Sequence, residues 1–185
     1  MIRENRKLAY FEAPKRAAQA AMQIRRSSRL NCINSVAVGF PIGLIIDGDK
    51  GNTVESAKNG MLKLQNLIFA GMTALGSDNN KKYEDQYYDK ATGQYDPSRV
   101  SYSHEFFMAQ TGNQVMTENQ LALSDPANVG QNYCPAANSP LLSGASFNGI
   151  TSLFLNKVSY IGAFGGNTDN WMSGWTNFDP QNTVY

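Results

Sequence analysis

At 185 residues the chain can build one sizeable core or several stacked repeats. A net charge of +1, with 17% charged residues, provides no broad field for nucleic acid or a membrane surface. No run reaches the roughly 18 apolar residues of a membrane-spanning helix, and one histidine and two cysteines without a CxxC pair argue against a zinc site.

Residues 1–18 read as a polar lead-in, with helical character from Lys15 to Ala21. Eight of the 16 basic residues fall in the first 29 positions against two acids, Glu4 and Glu12, which reads as a solvated face rather than a nucleic-acid arm. There is no apolar segment of the secretory kind, and Met1 reads as the start of a piece cut from a longer protein.

From Ala20 the pattern turns to period two. Met22 and Ile24 alternate with Gln23 and Arg25, and Leu30 to Val38 alternates likewise, which predicts strands. Leu30, Cys32, Asn34, Val36, Gly39 and Phe40 recur as Leu62, Leu64, Asn66, Ile68, Gly71 and Met72, each 32 residues on. Ala21 to Arg25 echoes Gly43 to Asp47 at an offset of 22. The two offsets predict a 22-residue coil with a ten-residue insertion, a short helix near 53–59 capped by Asn52 or Thr53 and closed by Asn59-Gly60. Stacked coils of this size predict an all-β parallel β-helix over 19–77, with Asn34 above Asn66 as a buried amide ladder.

Residues 78–137 read as a loop-rich excursion carrying Tyr83, Tyr87, Tyr88, Tyr95 and Tyr102, with a helix from Ser103 to Ala109 capped by Ser103. Val115 to Ala122 reads as a short helix or strand. Residues 138–185 read as a last rung and an aromatic cap containing Trp171 and Trp175.

The phrases "IRRSSRLNCINSVAVGFPIGLIIDG", "NSPLLSGASF" and "YIGAFGG…NWMSGWTNFDPQN" resemble the C-terminal part of a family of secreted or cell-surface β-helix proteins of Bacteroidota-type bacteria. The resemblance covers about residues 18–185 and implies a right-handed parallel β-helix, an extracellular or outer-membrane location, and further rungs upstream as a packing partner. That family is largely uncharacterised and carries over no catalytic residue.

Four groups could bear chemistry. Arg25, Arg26 and Arg29 face Asp47, Asp49 and Lys50, and the offset of 22 sets Arg25 against Asp47. β-helix polysaccharide lyases use such residues on uronates, whereas a cross-strand ion pair neutralises both groups and is worth under about 1 kcal/mol if exposed. Asp47, Asp49 and Glu55 have the oxygen chemistry of a Ca2+ ligand set, but the run lacks the third acidic residue, the central glycine and the closing glutamate of an EF-hand and reads better as a turn with a helix cap. His104 beside Glu105 is half of an acid–base pair with no recognisable nucleophile. Tyr83, Tyr87, Tyr88 and Tyr95 are candidate stacking platforms for sugar rings, and Trp171 and Trp175 read as core or cap. Together these predict a non-catalytic structural or binding portion of a surface protein, recognising a glycan or a protein. The alternatives are a polysaccharide lyase or glycoside hydrolase with its active site mostly upstream, and a subunit of a surface assembly that docks by strand addition. Whether Cys32 and Cys134 pair is left open by their spacing.

Overall fold

The computed structural model describes residues 19–79, 84–124, 133–169, 171–172, 177 and 182. The polar lead-in, Tyr83 and Trp175 lie outside the described residues. The strands are β1 (Ala20–Ile24), β2 (Asn31–Ile33), β3 (Val36–Val38), β4 (Ile42–Ile46), β5 (Lys63–Gln65), β6 (Ile68–Ala70), β7 (Ala74–Ser77), β8 (Tyr87–Asp89), β9 (Gln94–Asp96) and β10 (Gln114–Met116). Among the described residues two α-helices, α1 (Thr53–Lys58) and α2 (Tyr102–Ala109), interrupt them.

The chain divides into two compact units. The first comprises Met1–Leu30, Ala37–Leu62 and Met72–Ala109; the second comprises Asn31–Val36, Lys63–Gly71 and Gln110–Tyr185.

In the first unit β1, β4 and β7 form a parallel sheet with β4 in the centre. Ala20 pairs with Ile42 and Ile42 with Ala74, so the offsets of 22 and 32 are the registers of its two ladders. β4 is buried along its whole length, which is why its Ile-Gly-Leu-Ile-Ile reads as a continuous apolar run rather than an alternation. Helix α1 follows β4, with Thr53, Ser56 and Ala57 buried. Thr53 is anchored from the turn after β1, where the Ser27 N–H donates to its Oγ1 at 3.1 Å. No side chain caps α1, and Gly60, at φ +69°, closes it as Met61 N–H bonds the Ser56 carbonyl at 2.8 Å.

In the second unit β2 pairs in parallel with β5, and β6 with β10. The alternation across Leu30–Val38, repeated 32 residues on, predicts continuous strands, but each breaks at its asparagine. Asn34 has φ +49° and Asn66 φ +58°, a left-handed backbone that asparagine tolerates better than most residues. A third turn follows at Gly112, φ +76°, where a Cβ would lie 2.6 Å from Asn66 Oδ1. These turns stack: Asn34 N–H bonds the Gln65 carbonyl at 3.2 Å and Asn66 N–H the Thr111 carbonyl at 2.9 Å. Asn66 Nδ2 donates to Asn34 Oδ1 at 2.6 Å and to the Gly144 carbonyl at 2.8 Å. Asn34 in turn closes a two-way bond with Ser146, accepting its N–H at 2.9 Å and donating to its carbonyl at 3.0 Å. The paired amides thus satisfy the backbone of residues 144–146.

The expected right-handed parallel β-helix is corrected by this arrangement. The described residues form small, separate sheets, parallel in three cases and antiparallel in the β8–β9 hairpin, together with helices; no closed or solenoid sheet runs through them, and the fold is mixed α/β. The repeat is too short to sustain a solenoid, because about three or more like units must stack before one coil buries the next. The 32-residue phrase occurs twice, and after Ser77 the chain leaves for the β8–β9 hairpin and α2. Of the C-terminal phrases, residues 138–147 form turns and a 3-10 helix, Pro140–Leu142, capped by Ser139; of the closing phrase, residues 170, 173–176 and 178–181 lie outside the described residues. Trp171 is half exposed, stacked on Phe164 at 6.0 Å with its Nε1–H on the Ala163 carbonyl, so it packs on local chain rather than entering a core. No disulfide joins Cys32 and Cys134; the Cys134 Sγ lies 3.5 Å from the Asp169 carbonyl, and burial pushes the Cys134 thiol up.

Replacing Asn66 by Ala removes both amide bonds and leaves a left-handed backbone on a residue that resists it. The expected loss is about 2–3 kcal/mol, read as a lower urea midpoint at unchanged slope. Asn66→Gly, which relieves only the backbone, is expected to recover about 1 kcal/mol of it.

Candidate functional site

Three of the sequence-selected tyrosines, Tyr87, Tyr88 and Tyr95, come together on the β8–β9 hairpin of the first unit. The strands pair Tyr87 with Asp96, Tyr88 with Tyr95 and Asp89 with Gln94. Tyr88 and Tyr95 therefore stand directly opposite, with ring centroids 5.0 Å apart. The loop between them is locked by Asp89, whose carboxylate accepts the Ala91 N–H at 2.9 Å while its carbonyl accepts that of Gly93 at 2.8 Å. Gly93 has φ +70°, the left-handed conformation this loop requires. Beyond β9, Asp96 accepts both the Ser98 hydroxyl and its N–H, at 2.6 and 3.0 Å. The bonds from Ala91 and from Ser98 hold the two exposed carboxyls below the ordinary aspartate range.

Arg99 then returns along β8. Its carbonyl accepts the Tyr87 N–H at 3.0 Å, and its guanidinium lies over the Tyr87 ring, 4.0 Å from the centroid. Arg99 also reaches Glu105 at 3.9 Å. Lys90, in the hairpin loop, donates to the Gly48 carbonyl.

Helix α2 seats the hairpin. Ser103 was expected to cap this helix; Ser101 does so instead, its Oγ accepting the His104 N–H at 3.1 Å. Ser103 lies in the first turn and bridges two strands, accepting the Ile46 N–H at 3.0 Å and donating to the Ser77 carbonyl at 2.9 Å. The helix can approach this closely because β7 presents Gly76, where a Cβ would lie 2.4 Å from the His104 nitrogen.

Two carboxylates close the assembly. Asp78 accepts the N–H groups of Tyr102 and Ser103 at 2.8 and 2.9 Å, the Ser103 hydroxyl at 3.0 Å and the Tyr88 N–H at 3.4 Å. Burial raises its pKa above the ordinary aspartate value, and these four bonds only partly offset that. Asp85 accepts the Ser101 hydroxyl and N–H on one oxygen, at 2.7 and 3.1 Å. Its other oxygen lies 2.6 Å from His104 Nδ1. Nδ1 is thus the ring nitrogen paired with Asp85, and Nε2 the one turned away from it.

The other sequence-selected residues are placed differently. Arg25 Nε lies 3.5 Å from Asp47 Oδ2, with the Arg25 side chain 38% and the Asp47 side chain 3% exposed. Asp47 also accepts the Asp49 N–H at 2.8 Å and the Gln23 amide at 3.4 Å. Its carboxylate thus serves its own turn and the neighbouring strand. Glu55 faces Lys58 on α1 at 3.4 Å. The Ca2+ set of Asp47, Asp49 and Glu55 is not assembled: among the described residues no three His, Cys, Asp or Glu side chains are gathered to hold a metal ion. Arg26 and Arg29 are exposed after β1, and Arg26 has φ +57°. Among the described residues no helix is long and apolar enough to cross a membrane.

Sequence reasoning did not find Asp85, Asp78 or Arg99. Asp85 lies 19 residues before His104, a separation with no periodic signal; the one available clue was a run of aspartates among tyrosines ahead of the only histidine. No protein-family model, curated protein or solved structure matches the chain.

Because the folded pKa of Asp78 is raised, the native state binds its proton more tightly than the unfolded chain does. Its contribution to stability is therefore greatest below the ordinary aspartate range and declines as pH rises through the raised value. Asp89 and Asp96 have the opposite sign, and their contribution is lost as pH falls. Subtracting the unfolding free energies of Asp78→Asn from those of the native chain isolates Asp78. That difference is expected to fall with rising pH from the ordinary aspartate range upward; a flat or rising difference would contradict the assignment.

Proposed function

We propose that this chain is a recognition module without chemistry of its own, and that the β8–β9 hairpin of its first unit binds a glycan. The supporting observation is the cross-strand pair Tyr88–Tyr95 beside the Tyr87–Arg99 stack, all half exposed or exposed on a backbone fixed by Asp78, Asp89 and Asp96. Tyrosine rings offer flat apolar faces to the C–H side of a sugar and hydroxyls to its rim, at low cost in side-chain entropy. Arg99 and Lys90 add cationic donors suited to sugar hydroxyls and carboxylates. A secreted or cell-surface setting, implied by the resemblance of the closing phrases, belongs to the same proposal.

An enzymatic reading has one observation in its favour, the His104–Asp85 pair at 2.6 Å, which is the orientation a general base needs. Against it, Ser101, the hydroxyl nearest that pair, is fully buried and already bonded to Asp85 and the helix terminus, so it offers no nucleophile.

Titrating labelled protein with neutral and uronate oligosaccharides while following backbone resonances tests the proposal. Shifts are expected to concentrate in residues 84–99, with Tyr95→Ala weakening binding about tenfold or more at unchanged unfolding temperature. Absence of shifts across the panel would refute glycan recognition. Release of unsaturated uronate that disappears in His104→Gln would establish the enzyme instead.

A further inference from the structure

In the second unit, the segment Thr151–Lys157 projects three consecutive large apolar side chains. Leu153 and Phe154 are each 99% exposed and Leu155 is 45% exposed. The tip is a local turn, with the Phe154 N–H bonded to the Ser152 hydroxyl at 3.2 Å. Scattered single apolar residues on a surface are ordinary, but a tripeptide this bare is not.

We propose that this loop inserts into the interfacial zone of a lipid bilayer. Near-complete exposure means that Leu153 and Phe154 touch almost nothing of their own chain. They form a convex tip, and a fluid acyl layer can close around such a tip without a preformed pocket, which a folded protein partner would have to supply. The flanks fit the same partner. Thr151, Ser152 and Asn156 provide neutral hydroxyl and amide groups at the depth of lipid headgroups. Between Asp125 and Asp169 there is no acidic residue, and Lys157, exposed at the foot of the loop, is the sole charge. The loop therefore brings no acidic side chain of its own to anionic phosphates and offers one matched cation. A few inserted side chains give weak, reversible attachment, far short of a spanning helix.

Flotation of the protein with vesicles of phosphatidylcholine, alone or mixed with phosphatidylglycerol, tests this. The native chain is expected to rise with both, more strongly with the anionic mixture. Substituting Leu153→Ser and Phe154→Ser together is expected to weaken vesicle binding about a hundredfold while leaving the unfolding temperature and circular dichroism unchanged. Failure of the native chain to float, or equal flotation of the doubly substituted chain, overturns the proposal. So does loop-dependent self-association in sedimentation without vesicle binding, which would assign the tip to a second copy of the chain.

Discussion

The first unit rests on how the N-terminus of α2 is satisfied. A helix begins with N–H groups that have no partner of their own, and burying them unpaired would cost about 1–3 kcal/mol each. Here Asp78 takes those of Tyr102 and Ser103, and Ser101 takes that of His104. Asp78 belongs to the end of the parallel sheet and Asp85 to the start of the hairpin, so the helix is stitched to both by the groups that cap it. Gly76 makes the approach possible, since any side chain there would strike the helix backbone. The tyrosines are thereby held on a base that cannot shift independently of the sheet.

The second unit solves a related problem with amides instead of carboxylates. Residues 144–146 offer carbonyls and N–H groups with no strand beside them, and Asn34 and Asn66 supply both donor and acceptor at neutral charge. A carboxylate could accept but not donate, and would carry its charge into a half-buried site. Asparagine also tolerates the left-handed turn that each position requires. One residue type thus meets a backbone constraint and a hydrogen-bonding constraint together.

The repeated phrase made strand register legible: offsets of 22 and 32 are the ladders of β1 with β4, β4 with β7 and β2 with β5. The architecture drawn from that register was wrong, because pairing between neighbours says nothing about how far stacking continues. Asn34 and Asn66 were selected as a pair but read as interior strand positions, since alternation counts side chains and does not register a backbone that turns between them. The tyrosines were visible through their density. Their partners were not: Asp78 and Asp85 act across separations of 10 to 25 residues that no local pattern encodes. The displaced cap shows the same limit, as Ser101 and Ser103 are equally good candidates by chemistry, and only the position of β4 and β7 assigns one to the helix and the other to the strands.

The first three amides of α2 are each bonded to a side chain rather than to another turn of helix. Asp78 also accepts from Tyr88, and the Asp85 that steadies Ser101 lies two residues before β8 in the chain. Because Asp78 holds the start of α2 and the Tyr88 amide of the hairpin with the same carboxylate, loss of that one side chain loosens both at once.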